Sequence, residues 1–162
     1  MSIVKKLATA VCAVALAGGV LAGCTNAAAN TATAEQQANR VYMSQVNEIM
    51  EELGDGLDSF VDAVSRNDIV NMRTQADNAY QALDKLGDLE APDELADIQE
   101  KYVDGADKLR EALDEYIALY TEMNGASFDM STYDSRIDDI QKLYDEGVDL
   151  MSEADETAAS KS

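Results

Sequence analysis

The sequence predicts an all-α protein built as an up-down-up-down antiparallel four-helix bundle. Three observations predict it. Apolar residues recur at steps of three and four in four separate segments, the spacing that lines up side chains on one helix face. No segment shows the period-two alternation of a strand. Turn and capping residues separate the four segments, and the short connections they leave make consecutive helices antiparallel neighbours.

The first stripe is Tyr42, Val46, Ile49, Leu53, Leu57, Phe60 and Val64. The second is Ile69, Met72, Ala76, Ala79, Leu83 and Leu86. The third runs Leu95, Ile98, Tyr102, Ala106, Leu109, Leu113, Tyr116, Tyr120 and Met123, and the fourth Tyr133, Ile137, Ile140, Tyr144, Val148 and Met151. Asn67-Asp68 is read as the cap of the second helix, Gly87 as the glycine just past its end, Pro92 as the opening of the third, Asn124-Gly125 as its close, and Ser131 with Asp134 as a capping box. Acid-before-base pairs at i,i+4 (Asp62–Arg66, Asp97–Lys101, Asp104–Lys108 and Asp138–Lys142) stand in the order that favours a helix. The first and third helices are predicted at about 30 residues, the second at about 19 and the fourth at about 23, so the long ones overhang the second. The bundle is assigned to residues 35–153. Residues 154–162 carry few core-forming side chains and are expected to form a disordered tail.

The start of the chain has a different character. Lys5-Lys6 precede an apolar run from Leu7 to Ala22 that is broken by Gly18-Gly19 and turns polar at Thr25, the order of a secretory signal rather than a membrane span. The run ends in Leu21-Ala22-Gly23-Cys24. These four residues resemble the lipobox of bacterial lipoproteins: an aliphatic residue, a small one, Gly or Ala, then Cys. The resemblance covers only about the first 24 residues. It implies diacylglycerol transfer to the Cys24 sulfur and cleavage between Gly23 and Cys24, making residues 1–23 a signal peptide. Residues 24–34, lidless of large apolar or charged side chains after Cys24, read as a lipidated flexible tether. The implied location is the extracytoplasmic face of a bacterial cell membrane, reached through lipid on Cys24.

Charge narrows the partners. The chain has 32 Asp and Glu against 12 Lys and Arg. Lys5 and Lys6 leave with the signal, so ten cations face 32 acids and the mature net is −22. Such a surface repels phosphate backbones, so no nucleic acid is expected as partner. Cys12 leaves with the signal and Cys24 is taken by lipid, so no internal disulfide is available.

Little in the chain points to catalysis. With no histidine, the usual general base, the commonest transition-metal ligand and the Ser-His and Cys-His nucleophile systems are all missing. No phosphate-binding glycine loop occurs. The acidic pairs Glu51-Glu52, Asp93-Glu94, Asp114-Glu115 and Asp138-Asp139 lack the spacing of a calcium loop. The reading is therefore a non-enzyme with no catalytic residue, no metal and no cofactor, whose bundle binds another envelope protein. The alternative is a solute- or cation-binding lipoprotein that uses an acidic cluster or a tyrosine-lined groove. That groove would lie between the third and fourth helices, lined by Tyr102, Tyr116, Tyr120, Tyr133 and Tyr144, whose rings pack while their hydroxyls stay near water or ligand. Two stripe glycines, Gly105 and Gly147, are expected to make room for a bulky side chain of a facing helix. A kink is an equal reading for Gly54 and Gly56.

Overall fold

The computed structural model describes residues 33–125 and 128–161. The predicted signal peptide 1–23, its cleavage point at Gly23 and Cys24, and the tether up to residue 32 lie outside the described residues. Among the described residues the protein is all-α: four long helices, two 3-10 turns and no strand. Helix α1 spans Ala34–Ser65, α2 Ile69–Asp88, α3 Ala96–Met123 and α4 Tyr133–Lys161, with 3-10 turns at Asp93–Leu95 and Met130–Thr132 leading into α3 and α4.

Local chemistry sets the helix ends. The Gln36 N–H donates to the Thr33 hydroxyl at 3.2 Å, and the Thr33 N–H donates back to the Gln36 side chain at 3.1 Å. This capping box takes residues 33 and 34 out of the expected tether and starts α1 there. At the other end Asn67 adopts φ 60°. Its N–H donates to Val64 O at 3.0 Å, and the Asp68 N–H reaches back to Ala63 O at 3.1 Å, a Schellman turn in which Asn tolerates the left-handed conformation. The Asp68 carboxylate then accepts from the Asn71 N–H at 3.1 Å and opens α2. Asn67-Asp68 is thus divided: the first residue closes α1, the second caps α2.

Other expected punctuation is corrected. Gly87 lies inside α2, which runs on to Asp88, and no glycine among the described residues has positive φ. Asp129 rather than Ser131 caps the turn before α4, accepting from the Ser131 N–H at 2.9 Å. The largest correction concerns the expected disordered tail 154–162. Helix α4 continues to Lys161, with Ala154 and Ala158 only 0% and 4% exposed; Ser162 lies outside the described residues. These alanines follow Met151 on the same helical face. They belong to the core although each carries only a methyl group. Lys161 fastens the end, donating to Glu94 O at 2.8 Å and Asp97 at 2.7 Å, a cation at a helix C-terminus.

Most of the stripe residues read from the sequence form the core, with Val46, Met72, Leu83, Leu86, Ile98 and Leu109, and also Leu119, all but sealed from solvent, while Ile69, Tyr116, Tyr120, Tyr133, Ile137 and Val148 are half-buried at its margin. Leu119 was outside the expected stripe, and Met123, placed inside it, is exposed. Small residues decide which helices pack closest. A Cβ on Gly105 would stand 2.9 Å from Gly147 O, and one on Gly147 would stand 2.9 Å from Gly105 O. The two glycines therefore serve each other: the facing backbone fills much of each gap, with Met151 and Leu109 beside it. Gly56 presses on the backbone of Ala79 in the same way, 3.2 Å from N to the position of a Cβ. Helix α1 runs through residues 54–56 without interruption, so Gly56 marks close approach and not a break. Pairs α1/α2 and α3/α4 are accordingly the tightest, α2/α3 is looser, and the backbones of α1 and α4 stay farther apart.

Charged pairs follow the same seams. Asp62–Arg66 forms as expected at 2.7 Å. The other cations of the expected i,i+4 pairs turn elsewhere: Lys101 reaches Glu153 at 2.8 Å and Lys108 reaches Glu146 at 3.3 Å, both across to α4, while Lys142 sits 3.7 Å from Glu146.

Candidate functional site

The five tyrosines proposed to line one groove are dispersed along α3 and α4. Tyr102 and Tyr116 stand fourteen residues apart on α3, about 21 Å along the axis at 1.5 Å per residue. Tyr102 is 0% exposed, and its hydroxyl donates to Asp155 in the last turns of α4. Burial first, then the Asp155 bond and charge, pushes that hydroxyl far up. It is a sealed core residue, not a groove wall.

Tyr116, Tyr120 and Tyr133 do come together, where the last turns of α3 meet the first turns of α4. Tyr116 meets Phe60 of α1 edge to face, with ring centroids 5.6 Å apart and planes at 76°, a favoured aromatic geometry. Burial raises the Tyr116 hydroxyl to about 12, with Tyr133 and Tyr120 adding to it. The Tyr120 hydroxyl is buried and makes no hydrogen bond among the described residues. Arg136 flanks this cluster, pairing with Glu122 and, at 3.4 Å, with Glu115. Tyr144 belongs to neither end: burial raises it to about 12, and the charges of Asp145 and, from α1, Asp58 contribute. Between Tyr102 and the three-tyrosine cluster, the seam is closed by the mutual contact of Gly105 and Gly147.

Sequence reading missed several polar contacts that join helices. Tyr42 donates to Gln99, whose amide donates to Leu86 O at 2.9 Å. Tyr80 donates to Asp114, while Arg110 sits 5.0 Å over the Tyr80 ring and binds Asp84 at 2.6 Å, a cation–π contact backed by an ion pair. Helical spacing places Gln99 three residues before Tyr102, so its inward face was legible; its partner on α2 was not. Asp155 was missed because its segment was read as tail.

No family model matches the chain, and no curated protein and no solved structure shows significant similarity to it. Among the described residues no group of three or more His, Cys, Asp or Glu side chains is placed to hold a metal ion. No described helix is long and apolar enough to cross a membrane. Cys24 and Gly23, the lipidation and cleavage residues, lie outside the described residues.

Proposed function

We propose that the chain is a membrane-anchored extracytoplasmic lipoprotein whose four helices form an up-down-up-down antiparallel bundle, and that the bundle binds another envelope protein without catalysis. The antiparallel order is supported by the contacts between neighbours. Residue numbers fall on one helix as they rise on the next in Glu52–Lys85 and Gly56–Ala79, in Arg73–Thr121 and Asp84–Arg110, and in Asp97–Lys161, Gly105–Gly147 and Glu122–Arg136.

The observation that carries the binding role is the dispersal of the five tyrosines and the closure of the α3–α4 seam at Gly105 and Gly147. An interior filled by its own side chains leaves the outer surface for recognition. Helix α1 is 32 residues long, roughly 48 Å. In this reading a lipid on Cys24 holds the Thr33 end near the bilayer. Val70 and Met130, 75% and 66% exposed, then point away from it.

Replacing Cys24 by Ala in the full chain, expressed in a bacterium, tests the anchor. The expected result is loss of radiolabelled palmitate from the protein, with release from membranes or retention of the uncleaved precursor. Mature, lipid-labelled protein from Cys24→Ala would refute it. Crosslinking of the lipidated protein in intact envelopes tests the partner: a discrete adduct supports the binding role. Tight retention of a small solute through purification favours the groove instead, with Tyr116, Tyr120 and Tyr133 as its remaining wall.

A further inference from the structure

At the end of the bundle nearest Thr33, a polar layer crosses all four helices. From α1, Tyr42 donates to Gln99 of α3; the Gln99 amide donates to Leu86 O of α2 at 2.9 Å; and Tyr102 of α3 donates to Asp155 of α4. Tyr42 and Tyr102 are buried. Asp155 is the one carboxylic acid in this layer. It takes no part in the ion pairs around it, in which Lys101 holds Glu153 at 2.8 Å and Lys161 holds Asp97 at 2.7 Å. The groups facing it are the Tyr102 hydroxyl from α3 and, behind that, the Tyr42 hydroxyl from α1. Helix α2 contributes only the Leu86 carbonyl to the layer, and on α4 itself the neighbouring Glu153 is engaged with Lys101.

The segment that carries Asp155 is lightly held. From residue 151 onward α4 buries only Met151, Ala154 and Ala158, little apolar area for three turns. Segments with so little buried apolar surface open first. The half-buried Asp155 carboxylate therefore weighs in whether they stay docked.

We propose that Asp155 makes the last turns of α4 a proton-responsive latch: protonation of its carboxyl against the buried Tyr102 hydroxyl tightens the docking of residues 152–161 on α3. Burial disfavours the charged form when the turns are docked and releases it when they open into water. It pushes the Asp155 carboxyl up, opposed in part by the bond from Tyr102. The docked state thus binds the proton more tightly. Its advantage is full below the ordinary Asp range and is lost as pH rises through the raised value. Asp97 works in the opposite sense. The Lys161 bond holds it below the ordinary range, so its contribution fades only as pH falls through that lower value. The window for the latch therefore lies above the window for the Lys161–Asp97 pair.

The test is hydrogen exchange on the full chain in detergent, corrected for intrinsic rates, between about pH 7 and about pH 4.5, a range that stays above the ordinary Asp and Glu values. Protection of residues 152–161 should rise severalfold on acidification while the middle of α1 stays constant. Asp155→Asn, isosteric and able to accept from Tyr102, should be well protected throughout and lose the response. A wild type that is flat or falls overturns the latch, and so does a response kept by Asp155→Asn. Carbon-13 titration of the Asp155 carboxyl gives a reading that needs no variant: a midpoint above the ordinary Asp value supports the latch, and one at or below it overturns it.

Discussion

Two glycine-to-alanine substitutions on this scaffold should have opposite signs. At Gly54 an added Cβ meets nothing within 4 Å. The substitution then expresses only the helix preference for Ala, a gain of about 0.5–1 kcal/mol. At Gly105 the same methyl group would stand 2.9 Å from Gly147 O, 2.9 Å from Met151 Cγ and 3.4 Å from Leu150 Cβ. The first of these is backbone, so relief requires α3 and α4 to move apart, and a forced methylene in a packed core costs about 1–3 kcal/mol. Set against the same propensity gain, Gly105→Ala should be destabilising by up to about 2 kcal/mol. That is a melting midpoint lower by several degrees, at about 4 °C per kcal/mol for a domain this size. Gly147→Ala should behave alike, since its Cβ would meet Gly105 O at 2.9 Å and Leu109 Cγ at 2.9 Å. The double variant should cost less than the sum, because one separation of the helices accommodates both groups. Urea denaturation at constant slope is the assay. A midpoint for Gly105→Ala that rises as far as that of Gly54→Ala would refute the reasoning, for it would mean the α3–α4 seam has room to spare.

One truncation and changes at two further positions probe the remaining features. Ending the chain after Glu153 removes the buried Ala154 and Ala158 together with the Asp155 partner of Tyr102; the two lost methyl groups alone should cost about 1–2 kcal/mol, whereas a true tail would leave the urea midpoint unchanged. Tyr120→Phe deletes a buried hydroxyl with no hydrogen bond among the described residues and should stabilise by about 1 kcal/mol. Loss of stability in the same assay would mean that the hydroxyl has a partner, as the groove reading requires. Asn67→Ala places a Cβ-bearing residue without a local hydrogen-bonding side chain at φ 60° and should cost about 1 kcal/mol. Asn67→Gly should be close to neutral in thermal melting, and equal effects of the two would remove the strain argument.

The helical class and the four stripes were legible because periodicity is a property of the chain itself. Leu53, Leu83, Leu109 and Ile140 all fall where spacing puts them, and all are buried. Residues whose meaning depends on a neighbour were not legible in that way. Gly105 and Gly147 each read as a gap to be filled, since nothing in either segment says that the facing residue is the other glycine. Ala154 and Ala158 read as too small for a core, although close approach is what selects small residues. Thr33 was absorbed into a run of Thr, Asn and Ala until its exchange with Gln36 is considered. The tyrosines show the same limit: helical phase put Tyr102 on one stripe with Tyr116 and Tyr120, but 21 Å of rise, by the roughly 1.5 Å per residue of an α-helix, separates what phase aligns.

Charge placement connects the fold to its surface. Between residues 33 and 161 there are ten Lys and Arg, far fewer than the acids they must balance. Six of them form ion pairs from one helix to another: Lys85, Lys101, Lys108, Arg110, Arg136 and Lys161. Each such exposed pair contributes little alone, about 0–1 kcal/mol. Their position matters more than their strength. A strongly negative chain resists compaction by self-repulsion, and cations set along the seams cancel charge where the helices come closest. The acids left over face outward, and that outward excess is what a basic partner would meet. Asp155 breaks the pattern. Like Asp114 beside Tyr80, it meets a tyrosine hydroxyl in place of a cation, but it is half-buried and burial pushes its carboxyl up, and there a proton can do what Lys and Arg do elsewhere.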